Sequence, residues 1–98
     1  MVKHMILWQL KEEVENKEEV KNNAKKALEG LVGQVDGLVD LKIIIDGMPS
    51  SNADMMLDAT LVDEKSLAGY QKHPLHVAAA DTYVRPFTQN RMCIDFES

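Results

Sequence analysis

Cysteine, aromatic residues, excess positive charge and long apolar runs are all scarce in this sequence, and each shortage removes a class of protein. A single cysteine, Cys93, in 98 residues allows no intrachain disulfide and no thiolate metal cluster. It lies in an apolar run near the C-terminus, where a small buried hydrophobe is expected. No stretch approaches the ~18 apolar residues of a membrane span. The opening Met1-Val2-Lys3-His4 enters a strand pattern directly, without a signal-peptide core. The expected location is the cytoplasm, with no membrane partner. Lys and Arg number 11 against 16 Asp and Glu, a formal charge of −5, which argues against nucleic acid. Lys17, Lys21, Lys25 and Lys26 do cluster, but Glu18, Glu19 and Glu29 interleave with them as on a solvated helix face. There is no Gly-rich phosphate loop and no Ser–His–Asp or Cys–His set, and Asp46, Asp54 and Asp58 lack calcium-loop spacing. Neither a metal nor an organic cofactor is expected.

What remains is a globular composition, 45% hydrophobic and 28% charged, for one domain over residues 1–98. A domain of this size buries only about 60–65% of its unfolded surface. Val2, His4, Ile6, Trp8 and Leu10 alternate as one buried face of a first strand. Asn16 and Glu19 have the spacing of a capping box, before a helix carrying Val20, Ala24, Ala27, Leu28, Leu31 and Val32. A turn at Val35-Asp36-Gly37 leads to a second strand, Leu38 to Asp46. A short loop joins it to a third, Met55 to Val62, so these two should form a hairpin. Asp63 can cap a brief helix ending near His73, a second helix follows Pro74, and Pro86 closes it. Asn90 to Phe96 is the last strand, with Met92, Ile94 and Phe96 expected inward and Cys93 and Asp95 opposite.

Right-handed crossovers turn this order into an α+β, ferredoxin-like βαββαβ subunit: a four-stranded antiparallel sheet with helices on one face. Ile44, Met56 and Val62 would then share the other face, exposed together. A second copy covering that face is the symmetric solution, which predicts a homodimer forming one α/β barrel.

Tyr70-Gln71-Lys72-His73-Pro74-Leu75-His76-Val77 concentrates the candidate chemistry. Pro74 breaks the helix and suits the first turn of the next, which brings Tyr70 and His76 together. An imidazole that titrates near ~6.5 beside a phenol is an acid–base pair. The same histidine could instead fix the junction by bonding a backbone carbonyl. His73 is expected to stabilise the turn. His4 faces inward and must find a partner or line a cavity. Trp8, Leu28, Leu57 and Phe87 either line that cavity or fill it.

These residues resemble the stress-responsive dimeric α/β-barrel family, usually shortened to Dabb. The resemblance rests on Val2-Lys3-His4, on Gly37-Leu38, on Tyr70 with His73-Pro74-x-His76, and on Arg91 with Asp95-Phe96-Glu97. It implies a barrel dimer of ferredoxin-like subunits. One relative, the plant polyketide cyclase olivetolic acid cyclase, implies catalytic roles for His76 and Tyr70 and a pocket lined by His4, Ile6, Trp8, Leu57 and Phe87. This chain departs from it with Met55 in place of a pocket histidine and Trp8 in place of a smaller aliphatic. Plant members also imply a divalent cation on backbone carbonyls near Val32, Val35 and Leu38, where no side-chain ligand stands. The function expected is a small, mostly apolar pocket for an apolar or aromatic carbonyl ligand, with cofactor-free cyclase or isomerase chemistry. The alternatives are a non-enzymatic, stress-associated structural or binding protein and a cofactor-free monooxygenase.

Overall fold

A computed structural model describes all 98 residues. The elements run β1 (Val2–Leu10), α1 (Lys17–Glu29), β2 (Leu38–Ile44), β3 (Met55–Leu61), α2 (Glu64–Lys72), α3 (Pro74–Tyr83) and β4 (Thr88–Glu97), with a 3₁₀ turn at Arg85–Phe87 before the last strand. The sheet order is β2-β3-β1-β4, and every neighbouring pair is antiparallel. This is the expected ferredoxin-like subunit, including the β2–β3 hairpin.

The inner face of the sheet carries Val2, His4, Ile6, Trp8 and Leu10 of β1 and Met55, Leu57, Ala59 and Leu61 of β3, all buried. Val20, Ala24 and Leu28 of α1 and Tyr70 of α2 close over them. Gly37, at the entry to β2, has φ of 81°, and a Cβ there would stand 2.2 Å from the Ser66 hydroxyl. Only glycine fits both the left-handed backbone and that approach. The exposed edge of β2 is tied down by α1: Glu29 accepts the Ile43 amide at 2.9 Å, and Lys25 donates to the Ile43 carbonyl at 2.9 Å. An edge occupied in this way cannot recruit another strand at that point.

Two local expectations need correction. Asn16 does not cap α1 through its side chain; its amide donates to Glu19 at 3.1 Å. More consequentially, β4 faces the opposite way. The pairs His4–Asp95 and Ile6–Cys93 place Asp95 and Cys93 on the inner side, while Met92, Ile94 and Phe96 point outward and are exposed. The register of β1 decides this, because a strand paired with it must share its parity. Cys93, although on the inner side, lies on an edge strand and is exposed rather than a buried hydrophobe.

The outer face is therefore apolar in a continuous row. Pairing aligns Ile44 with Met56, Met56 with Leu7 and Leu7 with Met92 across all four strands. Val62, Ile94 and Phe96 extend the exposed apolar surface. Lys3 and Asp58 form one ion pair on this face, at 2.6 Å.

Candidate functional site

The α2–α3 break builds the site. Asp63 caps α2 by accepting the Ser66 amide, and His73 caps α3 by accepting the Leu75 amide at Nδ1, 3.1 Å away. Pro74 occupies the first turn of α3, where its missing N–H costs nothing. The sharp junction lays the His76 ring against Tyr70, with ring centroids 4.3 Å apart and planes tilted by 40°. His4 meets the other side of Tyr70 edge-on at 6.1 Å.

Below this junction lies a cavity of about 410 Å³, within the ~300–1,000 Å³ range of small-molecule sites. His4, Ile6, Trp8 and Leu57 rise from the sheet, Leu28 comes from α1, and Ala80 and Val84 close the helical side. The polar remainder is His76, Gln71, Arg85, Thr88 and Arg91. Phe87 is not among the walls; the 3₁₀ turn carries it to a separate surface hollow beside Lys11 and Pro86. Tyr70 is fully buried behind His76 and also does not reach the wall. Its hydroxyl has no hydrogen-bond partner, and burial pushes the phenol above its ordinary value, so it stays protonated.

The His76 ring has a fixed tautomer. Its Nδ1 lies 3.2 Å from the Gln71 carbonyl, which can only accept, so Nδ1 carries the hydrogen and Nε2 keeps the lone pair. Burial holds His76 below the ordinary histidine value; the Gln71 carbonyl opposes this, and Arg85, His4 and Arg91 reinforce it. The ring is neutral near pH 7 and offers a basic nitrogen.

His4 is the buried polar residue of the sheet. Its Nδ1 donates to the Asp95 carboxylate across the β1–β4 pair. Cys93 Sγ stands 3.7 Å from the same nitrogen and 3.6 Å from Asp95. Because thiol and carboxylate face one nitrogen, the three do not form a nucleophile–base–acid relay, which needs them on opposite ring nitrogens. Burial and the neighbouring Asp95 push the thiol up, away from thiolate. These are the three donors that converge as metal ligands would, within 4.8 Å of one another. At the end of α1, by contrast, the Val35 carbonyl accepts the Leu38 amide at 3.2 Å, so one of the oxygens implied for a cation is already engaged.

The sequence reading missed the polar half of the cavity. Arg85 sits on the 3₁₀ turn, and Arg91 and Thr88 face inward together because of a bulge. Leu7 pairs with Met92 and Gln9 with Gln89, so β4 carries one extra residue there. Asn90 has φ of 54° at that point, a left-handed conformation that asparagine tolerates.

A model of the stress responsive A/B barrel domain, Dabb, matches residues 2–98. The chain belongs to this family. Solved structures agree on the fold of this Dabb domain. A dimeric ferredoxin-like protein from Bacteroides fragilis is 26% identical, with a TM-score of 0.91 over 99% of this chain and 95% of its own. Another dimeric ferredoxin-like protein, from Thermobifida fusca, is 25% identical with a TM-score of 0.82, covering 97% of this chain and 88% of its own. A hydroxynitrile lyase from Passiflora edulis is 11% identical with a TM-score of 0.78, covering 97% and 90%; that likeness is one of fold alone. No curated protein matches the sequence significantly. No helix of the Dabb domain is long and apolar enough to cross a membrane.

Proposed function

We propose that this Dabb domain is a homodimer that binds a small apolar carbonyl compound and moves a proton next to its carbonyl without a cofactor. The observation that carries the chemistry is His76: a neutral imidazole on the wall of a 410 Å³ cavity, its Nδ1 held by a backbone carbonyl. Nε2 takes a proton from the carbon beside the carbonyl, and the electron pair of that C–H bond forms an enolate. Arg85 and Arg91 supply positive charge for the enolate oxygen. Returning the proton to another carbon completes an isomerisation. Attack of the enolate carbon on a second carbonyl forms a carbon–carbon bond, and the proton then passes to the new alkoxide; this is the aldol-type cyclisation. Tyr70 is a positioning residue in this scheme: its ring backs His76 while its hydroxyl stays enclosed.

The inverted β4 supports the dimer. A lone subunit would leave Leu7, Ile44, Met92, Ile94 and Phe96 in water while turning Cys93 and Asp95 toward its helices. That pattern supports cover over the outer face, which a second copy would supply by twofold symmetry.

Deuterium incorporation next to the carbonyl of an apolar 1,3-diketone, followed by proton NMR, tests the chemistry. His76→Ala should lose the protein-catalysed exchange while its dimer mass and Tm stay close to those of the parent. Undiminished exchange in that variant removes His76 from the mechanism. No exchange above buffer with the parent protein, across a panel of ketones, would favour the non-enzymatic binding role instead.

A further inference from the structure

We infer that the cavity selects an anionic ligand, an apolar body bearing a carboxylate, and that Arg85 and Arg91 bind that group. The inference deepens the proton-transfer reading above and rests on the same cavity. The chain carries a net charge of −5, yet the cavity wall holds two arginines and two histidines and not one aspartate or glutamate. Net charge therefore predicts the opposite of what lines the site: both arginines of the chain stand at this cavity.

Three observations make this a built arrangement. Arg91 points inward with Cys93 and Asp95 in the register that β1 sets, and the extra residue at Asn90, in a left-handed conformation, turns Thr88 to the same side. Arg91 also has no carboxylate within ion-pair distance anywhere in the chain, whereas Arg85 is paired only with Asp81, one turn earlier on the exposed side of α3. An exposed pair at i,i+4 opens at little cost, which frees Arg85 to turn to a ligand. Both arginines line the same cavity as His76. Ile6, Trp8 and Leu57 give the same cavity an apolar wall, and the β1–β4 register sets Arg91 alongside Trp8.

A guanidinium holds a carboxylate through two parallel N–H donors, which fixes orientation as well as affinity. A carboxylate seated on Arg91 would lay the apolar part of the ligand along Trp8 and bring a carbonyl a few bonds away beside His76. The arginines thus act as specificity residues that set the substrate class: oxocarboxylates in preference to neutral ketones or alcohols.

Trp8 is the one tryptophan of the chain and stands in the wall, so its fluorescence reports occupancy. The probes are 4-phenylbutanoate and its primary amide, titrated into the full chain. The carboxylate should bind about tenfold more tightly than the amide, as expected when a charge-assisted pair replaces a neutral one. Arg91→Gln should bring the two affinities within about threefold, while Arg91→Lys keeps part of the preference. Should Arg91→Gln fold poorly, Arg85→Gln gives the same comparison at a surface position. Equal affinities in the parent overturn the inference. So does a preference that survives in R85Q/R91Q, or the absence of any Trp8 response to the carboxylate. The two readings fail separately. Diketone exchange that depends on His76, without carboxylate preference, removes the anion selectivity and leaves the proton transfer; carboxylate preference without exchange does the reverse.

Discussion

Replacing Tyr70 with phenylalanine isolates one oxygen atom. Tyr70 is fully buried, and its hydroxyl has no hydrogen-bond partner. Leaving a buried hydroxyl unpaired costs about 1–3 kcal/mol relative to a bonded one, because its water is lost and not replaced. Phenylalanine keeps the ring that packs on His76 at 4.3 Å and removes only the orphan group. The variant should therefore be more stable, by about 1 kcal/mol, which corresponds to a rise of about 4–8 °C in Tm for a domain of this size. The assay is thermal unfolding followed by circular dichroism, at one fixed protein concentration, because an oligomer's Tm depends on it. The same preparation, tested for ketone exchange, should retain a rate within about threefold of the parent. A Tm lowered by several degrees would show that the hydroxyl is bonded. A hundredfold loss of exchange would place it on the substrate, the role that the resemblance to the cyclase implies, and would refute the positioning role given to it here.

Acid should weaken the fold in two stages. The folded value of His76 lies below its ordinary one, mainly through burial. Its contribution is therefore fully present above the unfolded value near ~6.5 and is lost as pH falls through the folded value. Urea midpoints measured from pH 8 to 5 should decline over that window in the parent and decline less in His76→Phe. Glu29 gives the second stage. Desolvation opposes its ionisation, but the Ile43 amide and Lys25 outweigh it and hold the carboxyl below its ordinary value. Its stabilisation should fade below the unfolded value of about 4.3, and Glu29→Ala should lower the unfolding free energy by about 1–2 kcal/mol at pH 7, read from urea titration; an unchanged midpoint would show that the β2 edge needs no such tie. Leu7→Glu places a charge in the middle of the Ile44–Met56–Leu7–Met92 row and should shift the protein from dimer to monomer in sedimentation velocity at micromolar concentration. A parent protein that sediments as a monomer would remove the dimer altogether.

Much of this fold was legible because β1 alternates cleanly: Val2, His4, Ile6, Trp8 and Leu10 are all buried, as parity alone requires. The helix break was equally plain, since Pro74 has few places to stand. β4 was misread for a physical reason. Placing apolar residues on the core side is a rule for a subunit with one apolar face, and here Met92, Ile94 and Phe96 lie on a second apolar face, which is exposed in the subunit. The apolar half of the cavity followed from strand parity. The polar half did not: Arg91 and Thr88 face inward together only because Asn90 adds a residue to the pairing. A lone asparagine in a strand is a faint sign of that. Arg85 gave no sequence signal, because a three-residue 3₁₀ turn, Arg85–Phe87, has no periodicity to read.

The state of the His76 ring is the most direct test, because the proton transfer depends on which nitrogen is bare. Two-bond proton–nitrogen correlation spectra of uniformly ¹⁵N-labelled protein at pH 7 distinguish the two tautomers and follow their titration. The geometry predicts hydrogen on Nδ1, a lone pair on Nε2, titration below the ordinary histidine value, and an Nε2 resonance that moves when a ligand fills the cavity. Hydrogen on Nε2, or a titration midpoint above ~6.5, would contradict the account.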